Sequence, residues 1–399
     1  MAEEELALLE NIDATWEELV SNGGPADPLQ FNEPRVGQAA RVSATLFNPV
    51  SGEQSVVQNV VYEARADGMP PTHAYWIGRK IKKAIFGAVR RCTVLRFRDP
   101  STWTGPGCGG SWEVTATEAA VKVMDLQKIS ELHGKHSEDP IKELAAMQTV
   151  NSEVPNPHVI RILDVLQDDQ YLYAFMPFCN SGDLFSLVEK ETQGEAKRFS
   201  EPLAQHWFKQ ILNGILHLQK MGICHRDMSL ENILVDNLST SVIIDMGMCL
   251  RVPYLAEDGY SISNVSAGTL RLLISRQPAC GKPNYISPEV LARVPFDGFA
   301  IDTWAAGIML FIMIVGLPPF DVASPEDPRY RMVTQGGLKI MLQKWNRPIS
   351  DQAAHLLQGM LREHPGDRLT FGQVMEHPWV TDHQGGVPTQ SMEDEGWRY

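Results

Sequence analysis

The residues best suited to chemistry lie in one short segment, ICHRDMSLENILV. It contains His225, Arg226 and Asp227 in succession, and Asn232 follows Asp227 by five positions. A further carboxylate, Asp245, comes eighteen positions after Asp227 within IIDMGM. Carboxylates can accept protons, and carboxylate and amide oxygens are the ligands that hard divalent cations take. The His-Arg-Asp tripeptide alone carries little information, whereas its spacing to Asn232 and Asp245 is specific.

Other short segments occur in a fixed order around this one. Before it come AAVK, which ends at Lys122, then IKELAAM, and then PFCNSGDLF at 177–185. After it come GKPNYISPE at 281–289, DTWAAG at 302–307, GLPPF, HPGDRLT and HPWV. So many marks in one order exclude coincidence.

These motifs together resemble eukaryotic protein kinases over residues 77–380. The hinge segment, GLPPF and HPWV look most like calcium/calmodulin-kinase-like serine/threonine kinases. The resemblance implies the bilobal protein-kinase fold, of the α+β class, with a small β-rich N-lobe containing one main helix and a larger, mainly α C-lobe. It also implies transfer of the γ-phosphate of Mg-ATP to a protein hydroxyl, so ATP and Mg²⁺ are the expected cofactors.

Two other functions remain open from the residues alone. A pseudokinase would keep the fold as a nucleotide-binding or scaffold module, and a kinase-fold enzyme could act on a small molecule. The SPE and DTWAAG elements argue against the small-molecule enzyme, because in the family they build a platform for protein substrates.

The resemblance assigns roles to individual residues. Asp227 would be the catalytic base, and Asn232 and Asp245 would hold Mg²⁺. Lys122 would bind the α- and β-phosphates, with Glu143 as its ion-pair partner. Glu138 is the second candidate for that partner, and a solvated helix glutamate is the plain alternative. The other expected nucleotide-binding residues lie in the first strands, the hinge and the floor of the site: Lys82, Gly87, Val89, Ala120, Met176, Phe178, Cys179, Asp183 and Leu234.

Some marked residues suit structural roles. Asp183 would reach the ribose or, equally well, cap a helix. Glu289 and Arg368 are placed to form a buried pair that positions a loop, and Asp302 would brace the catalytic loop.

The chain departs from the family in the loop that covers the phosphates. The pattern GxGxFGxV falls on residues 82–89, where only Gly87 remains of the three glycines; Lys82 and Ala84 replace the others. Glycines let backbone N–H groups approach phosphates closely, so this change bears on ATP affinity. Met246 replaces the phenylalanine of the Asp-Phe-Gly turn and can fill the same apolar slot.

A second departure concerns two loops at once. Serine/threonine kinases carry a lysine two positions after the catalytic aspartate, and here that position is Ser229. The threonine that partners this lysine is here Lys282. We therefore expect that the two positions have exchanged polarity, with Lys282 supplying the positive charge near the phosphates. The alternative is a solvated Lys282 and a slow enzyme.

Regulation and substrate preference follow less directly. Arg226 implies an activation segment that a phosphate could order. Ser275 is its nearest hydroxyl, and others lie further back at Ser261, Ser263, Ser266 and Thr269. Asp183 and Glu231 occupy positions where some kinases place acids, which predicts a mild preference for substrates with basic residues near the target.

Composition sets broader limits. The chain has 399 residues, 43% apolar and 21% charged, which excludes collagen, wholly disordered chains and disulfide miniproteins. With 35 Lys and Arg against 49 Asp and Glu, the net charge is -14, so no nucleic-acid or membrane partner is expected. A protein substrate and a monomeric state are expected.

Cysteine spacing, the N-terminal sequence and the length of the apolar runs all predict the same cellular compartment. No two of the six cysteines are closer than 16 positions, which predicts reduced thiols in a cytoplasmic or nuclear protein. The N-terminus is acidic, position two is Ala2, and the most apolar run, 305–317, is too short to cross a bilayer.

The elements that position these residues can be read from periodicity. Residues 1–76 form an N-terminal extension with an amphipathic helix over 5–20, a linker and strand-like stretches. The N-lobe covers 77–176, with strands over 85–97, 113–125, 158–166 and 171–178 and a helix over 137–150. The hinge is 177–182, and the C-lobe, 183–380, has helices over 183–191, 201–221, 301–315 and 351–362. Residues 381–399 form a disordered acidic tail.

Overall fold

The computed structural model describes residues 12–21, 23–99, 101, 103–135, 138–152, 154–191, 197–255 and 270–382. The predicted acidic tail beyond 382, the first part of the predicted N-terminal helix and the hydroxyls between 256 and 269 lie outside these residues. Residues 31–155 and 160–180 form one structural unit, the sheet unit. The remaining described residues form the other, the helical unit.

The sheet unit is a closed barrel in the order β1-β2-β3-β4-β5-β7-β6. Parallel pairing of β1 with both β5 and β6 closes it, and the other neighbours are antiparallel. The strands are β1 Gly37–Phe47, β2 Gln54–Glu63, β3 His73–Lys83, β4 Gly87–Phe97, β5 Ser111–Asp125, β6 Asp164–Gln167 and β7 Tyr171–Pro177.

This barrel corrects two predicted boundaries. β1 and β2 belong to the same closed sheet as β4 and β5, so residue 76 is not a structural boundary. The strand predicted over 158–166 is shorter than expected and begins at Asp164. Ala39 of β1 and Val61 of β2 pack with Tyr75 and Phe175 in one buried cluster, and a face that must be buried favours sheet formation.

Two helices accompany the barrel, α2 Leu126–Leu132 and α3 Pro140–Val150. Asp139 caps α3 by accepting from the main-chain N–H groups of Ile141 and Lys142, and Pro140 occupies the first turn. The helix buries Leu144 against Phe86 and Met124, which fixes α3 on the outer face of β5. The capping residues explain why the helix starts later than the predicted position 137.

The helical unit contains α1 Trp16–Ser21 and a series of helices from residue 184 onward. These are α4 Leu184–Lys190, α5 Glu201–Lys220, α6 Pro288–Leu291, α7 Gly298–Val315, α8 Pro328–Thr334, α9 Leu338–Lys344, α10 Asp351–Met360, α11 Phe371–Glu376 and α12 Pro378–Thr381. By length and composition α7 could cross a membrane, but 94% of it is buried within the protein, as expected for a core helix.

Short strands in the helical unit hold the loops that carry the predicted chemistry. β8 Ile223–Cys224 pairs with β11 Leu250–Arg251, and β9 Ile233–Val235 pairs with β10 Ser241–Ile243. A third pair joins β12 Tyr254–Leu255 to β13 Leu270–Arg271. The ICHRDMSLENILV segment therefore runs from β8 to β9, with both ends anchored in paired strands.

Residues 12–30 pack on this same unit. Buried Arg271 donates to the main-chain oxygens of Ile12 and Ala14, each at 3.2 Å. The N–H of Ala26 donates to Leu273 at 2.9 Å, as an added strand would. The early residues thus contact the segment that leads to GKPNYISPE.

Candidate active site

The loop between β8 and β9 is fixed by one buried carboxylate. Asp302, on α7, accepts from the main-chain N–H groups of His225 at 2.6 Å and Arg226 at 2.9 Å. Arg226 has a left-handed backbone (φ 66°), which is costly for a residue other than glycine. The two hydrogen bonds that Asp302 accepts hold this conformation, so Asp302 braces the loop as the sequence predicted.

His225 ties the same loop to the strand that precedes Asp245. Its Nδ1 accepts from the N–H of Asp227 at 3.2 Å, so its Nε2 carries the proton and donates to the main-chain oxygen of Ile244 at 3.0 Å. The ring is fully buried. This pairing makes His225 a positioning residue.

The Asp227 carboxylate is oriented by Asn232. The Asn232 amide nitrogen donates to the Asp227 main-chain oxygen at 2.8 Å and to its Oδ2 at 2.9 Å. Burial raises the pKa of Asp227 above its ordinary value, and the charge of Asp245 adds to this, while His225, Asn232 and Lys282 pull the pKa down. A carboxylate whose pKa is raised in this way is a stronger proton acceptor when it is ionised.

The donor set at Asn232 and Asp245 suits Mg²⁺. Because the Asn232 amide NH₂ faces Asp227, its carbonyl oxygen is left for a cation. Asp245 has a left-handed backbone (φ 69°) and is followed by Met246, which is fully buried in the expected apolar slot. In the described ranges no cluster of three or more His, Cys, Asp or Glu side chains could hold a metal ion by itself. Mg²⁺ commonly relies on one or two protein oxygens together with water and substrate phosphates.

The predicted exchange between Ser229 and Lys282 has a clear geometry. Lys282 Nζ donates to Ser229 Oγ at 2.8 Å, and Ser229 is fully buried. The same ammonium lies 3.0 Å from Glu231 Oε2. Next to it, Gly281 is in the left-handed region (φ 88°), and a Cβ there would lie 2.9 Å from Asp227 Oδ1. The loop that carries Lys282 is therefore packed directly against the catalytic loop.

In the sheet unit, Lys122 and Glu143 form the predicted ion pair. Lys122 Nζ lies 2.6 Å from Glu143 Oε2, and both side chains are largely buried. Lys122 lies on β5 and Glu143 in the first turn of α3, so helix capping and strand register together set this distance. Glu138, the second candidate, lies before the helix cap.

Strand register places four predicted nucleotide-binding residues on one face of the sheet. Lys122 is directly opposite Val89 on β4 and Ala174 on β7, and Ala120 is directly opposite Met176. Side chains opposite each other or two residues apart share a face. Val89, Ala120, Lys122 and Met176 therefore line a common surface.

The β3–β4 hairpin does not have the form of a glycine-rich loop. Lys82 pairs opposite Val89, and the turn is closed by hydrogen bonds between Ala84 and Gly87 of 3.0 and 3.2 Å. Gly87 is required by packing, since a Cβ there would lie 2.0 Å from the main-chain oxygen of Val123. The one retained glycine thus serves close strand approach.

The predicted hinge residues and Leu234 make different contacts in the structure. Asp183 caps α4, accepting from the Ser186 N–H at 2.8 Å and its hydroxyl at 2.9 Å, so the helix-cap alternative describes it. Leu234 is bridged to Asp183 within the helical unit. In the sheet unit, Phe178 lies under the Arg91 guanidinium at 5.2 Å, and Cys179 is partly exposed.

Arg226 reaches into the activation segment. Its guanidinium donates to the main-chain oxygens of Pro278 at 2.7 Å and Met248 at 3.3 Å. Ser275 donates its main-chain N–H to Ala26 at 2.7 Å. The segment near residues 274–278 is therefore held by the Arg226 side chain and by a main-chain hydrogen bond to Ala26.

Glu289 and Arg368 form the predicted buried pair. The two carboxylate oxygens accept from the two guanidinium Nη atoms at 2.6 Å each, and the guanidinium stacks on Trp304 at 4.7 Å. Such a bidentate pair fixes the end of the activation segment and takes no part in chemistry.

Comparison with known proteins now decides the family. The sequence profile of the protein kinase domain matches residues 111–380. The chain belongs to the protein kinase family. The predicted bilobal α+β kinase fold agrees with this match and with the β-rich and helical units.

Several curated relatives are serine/threonine kinases. The chain is 32% identical over 246 residues to serine/threonine-protein kinase SRK2H of Arabidopsis thaliana, covering 60% of this chain and 61% of the relative. It is 29% identical over 269 residues to CBL-interacting protein kinase 9 of Oryza sativa subsp. japonica, covering 66% and 51%. It is 28% identical over 270 residues to serine/threonine-protein kinase PLK4 of Nematostella vectensis, covering 67% and 24%. The chain thus spans between about a quarter and three fifths of these relatives' lengths.

Sequence reasoning missed two features of this site. Glu231 was expected to face a basic substrate, yet its carboxylate pairs with Lys282. The need for Gly281 beside Asp227 was also missed. The lysine at position 282 could have indicated both features. Its charge calls for an acid nearby, which is Glu231, and its contact with Ser229 requires the two loops to pack closely, which Gly281 allows.

Proposed function

We propose that this chain is an ATP-dependent protein serine/threonine kinase. The observation that carries the proposal is the Asp227 carboxylate, held by Asn232 and placed beside the Lys282–Ser229 pair in a braced loop. Family membership and serine/threonine kinase relatives support it.

The chemistry follows from what phosphoryl transfer needs. It asks for positioning, charge stabilisation and one group that accepts the hydroxyl proton. Asp227 Oδ1 is the atom proposed to take that proton, because Oδ2 already accepts from Asn232. Asn232 and Asp245 would hold Mg²⁺, which supplies positive charge beside the transferring phosphoryl group.

The sheet unit contributes charge by the same logic. Glu143 holds the Lys122 ammonium at 2.6 Å, so that cation has a fixed direction. A fixed cation stabilises phosphate charge without reorganising during the reaction. Lys122 is therefore proposed to bind the α- and β-phosphates.

Lys282 is proposed to supply the charge that Ser229 lacks. Its ammonium lies within hydrogen-bond distance of the buried Ser229 hydroxyl, and its charge lowers the pKa of Asp227. The preference for basic substrates stays a prediction, because Asp183 caps a helix and Glu231 is paired with Lys282.

The function is tested with γ-labelled Mg-ATP and three peptide pools that carry serine, threonine or tyrosine as the only hydroxyl. We expect label in the serine and threonine pools and none in the tyrosine pool. Nucleotide binding without transfer to any pool would contradict the proposal and favour a scaffold that holds nucleotide.

A further inference from the structure

A cavity of about 330 Å³ opens at the end of the barrel where β4 begins and β5 ends. Arg41 of β1, Asn59 of β2, Arg90 of β4 and Lys128 of α2 line its wall. The mouths of small barrels are a common position for ligand sites, and this volume lies within the usual range for them.

The cations in this mouth are not neutralised by the protein. Among the described residues none of Arg41, Arg90 and Lys128 has a salt bridge. Arg90 donates to the main-chain oxygen of Gly78 at 2.9 Å, and Arg41 lies 5.3 Å from the centre of the Tyr171 ring. Neutral groups therefore orient both guanidinium groups while leaving their charge available.

The two acids nearest to the mouth already have partners. Asp125 lines the cavity and caps α2 by accepting from the Lys128 N–H at 3.1 Å. Asp168 accepts from the Tyr173 hydroxyl at 2.6 Å and from the N–H of Tyr171 at 2.7 Å. These hydrogen bonds orient both carboxylates, and the three cations of the wall outnumber the one carboxylate that lines the cavity.

Strand register adds two more cations at the rim. Lys80 is directly opposite Arg90, and Lys83 is directly opposite Ala88, which also lines the cavity. Residues directly opposite each other in an antiparallel pair share a face, so Lys80 and Lys83 lie on the cavity side of the hairpin. Both are exposed. Residues 68–98 contain eight Lys and Arg and no Asp or Glu, in a chain of net charge -14.

We propose that this barrel mouth binds a compact anion with two or more phosphate groups, either free in solution or as the headgroup of a lipid. Cations from β1, β4 and α2 line one concave site, and strand register places two more beside it on β3. Such a set matches several phosphate groups better than a single carboxylate. Apolar Ile77 and Val123 also line the cavity and would face a ring or carbon skeleton. Arg41 and Asn59 lie outside the residues matched by the kinase profile, so the match to that profile does not account for this part of the site.

The test is calorimetric titration of the full chain with inositol hexakisphosphate, without Mg²⁺ or nucleotide, at about 0.15 M salt, where distant surface charges are screened. We expect saturable binding that weakens at least about tenfold in Arg41→Gln/Arg90→Gln, because each lost charge-assisted contact costs affinity. Arg96→Gln/Arg98→Gln is the matched control, since it removes two charges at and just after the far end of β4. It should change affinity by less than about threefold.

Two further variants distinguish binding at the barrel mouth from binding at the kinase site and from a loss of stability. Lys122→Met removes the proposed phosphate-binding lysine of the kinase site, and inositol hexakisphosphate binding should persist in it. If Arg41→Gln/Arg90→Gln lowers the melting temperature without ligand, Lys80→Gln/Lys128→Gln repeats the test on exposed side chains. Absence of binding, equal losses in the barrel-mouth and control variants, or loss in Lys122→Met alone would each overturn the proposal.

Vesicle sedimentation distinguishes the two sources of the anion. Phosphatidylcholine vesicles carry either phosphatidylinositol 4,5-bisphosphate or enough phosphatidylserine to match its charge. Binding that requires the bisphosphate and Arg41 and Arg90 assigns the site to a lipid headgroup, whereas binding of the soluble probe alone assigns it to a free ligand. Equal binding of every variant to both vesicle types would overturn the proposal in favour of general charge attraction.

Discussion

The catalytic loop and the β3–β4 hairpin have diverged from the protein kinase pattern to very different extents. The loop keeps Asp227 and Asn232, and a side-chain network that reaches Asp302 and His225 holds it. The hairpin keeps one of three glycines, and the matched kinase region starts only at residue 111, after both of its strands. Where side-chain atoms carry out the chemistry, residue identity is constrained. Where backbone shape suffices, the sequence is free to change.

The strongest prediction concerns the fixed cation of the sheet unit. Lys122→Met should lower kcat/KM about a hundredfold or more, because it removes a preorganised charge and leaves Glu143 buried without its partner. The rate of peptide phosphorylation measures this loss. Lys135→Met, an exposed lysine of the same unit, is the matched control and should leave the rate unchanged. A wild-type rate in Lys122→Met would show that this cation is not needed for phosphorylation. It would contradict the contrast drawn between the chemical side chains and the hairpin.

The next prediction concerns Ser229, where the catalytic loop departs from the family pattern, and its partner Lys282. Lys282→Met should lower kcat about tenfold or more, because the phosphoryl group would lose a nearby cation that is only partly screened. Ser229→Lys/Lys282→Thr, which returns the lysine to the catalytic loop, should recover much of the rate, while Ser229→Lys alone should not.

The control for this cycle is Lys339→Met, which removes a surface lysine paired with Asp351. It should behave as wild type. The single variants of this cycle are Ser229→Lys and Lys282→Thr. If the double variant is as slow as the product of their effects, the two positions are independent and the exchange of polarity is refuted.

A smaller effect is expected in the pH profile. Asp227 must be ionised to accept a proton, and burial raises its pKa, so kcat should rise with pH through that pKa and then level off. Lys282 lowers the pKa of Asp227, so Lys282→Met should move this rise to higher pH. A rise at unchanged pH in the variant would show that the Lys282 charge does not reach Asp227.

The smallest effect is expected in the hairpin. Ala84→Gly restores one family glycine at a turn that is already closed by main-chain hydrogen bonds to Gly87. The KM for ATP should change by less than about threefold, since glycine adds freedom but no side-chain contact. A tenfold or greater fall in KM would show that the lost glycines limit nucleotide binding.

The side chains of the catalytic centre were largely predictable from sequence. The pairs Lys122–Glu143 and Glu289–Arg368 follow from motifs whose chemistry demands particular side chains, and both exist in the structure. The Lys282–Ser229 contact was predictable because a missing charge in one loop coincided with an extra charge in another.

Features that depend on long-range pairing were not predictable. Closure of the barrel requires β1 to run parallel to β5 and β6, which periodicity within residues 37–47 does not encode. The net charge of -14 also concealed the basic barrel mouth, because composition averages over distance. The basic mouth emerged only when register placed Lys80 beside Arg90.

The central claim is that Asp227 accepts the proton of a serine or threonine hydroxyl. Its most direct test measures γ-phosphate transfer and nucleotide-dependent thermal stabilisation in wild type and Asp227→Asn side by side. We predict that the variant loses at least about a hundredfold in transfer rate while Mg-ATP still raises its melting temperature. Equal transfer rates in the two proteins would contradict the assignment of Asp227 as the base.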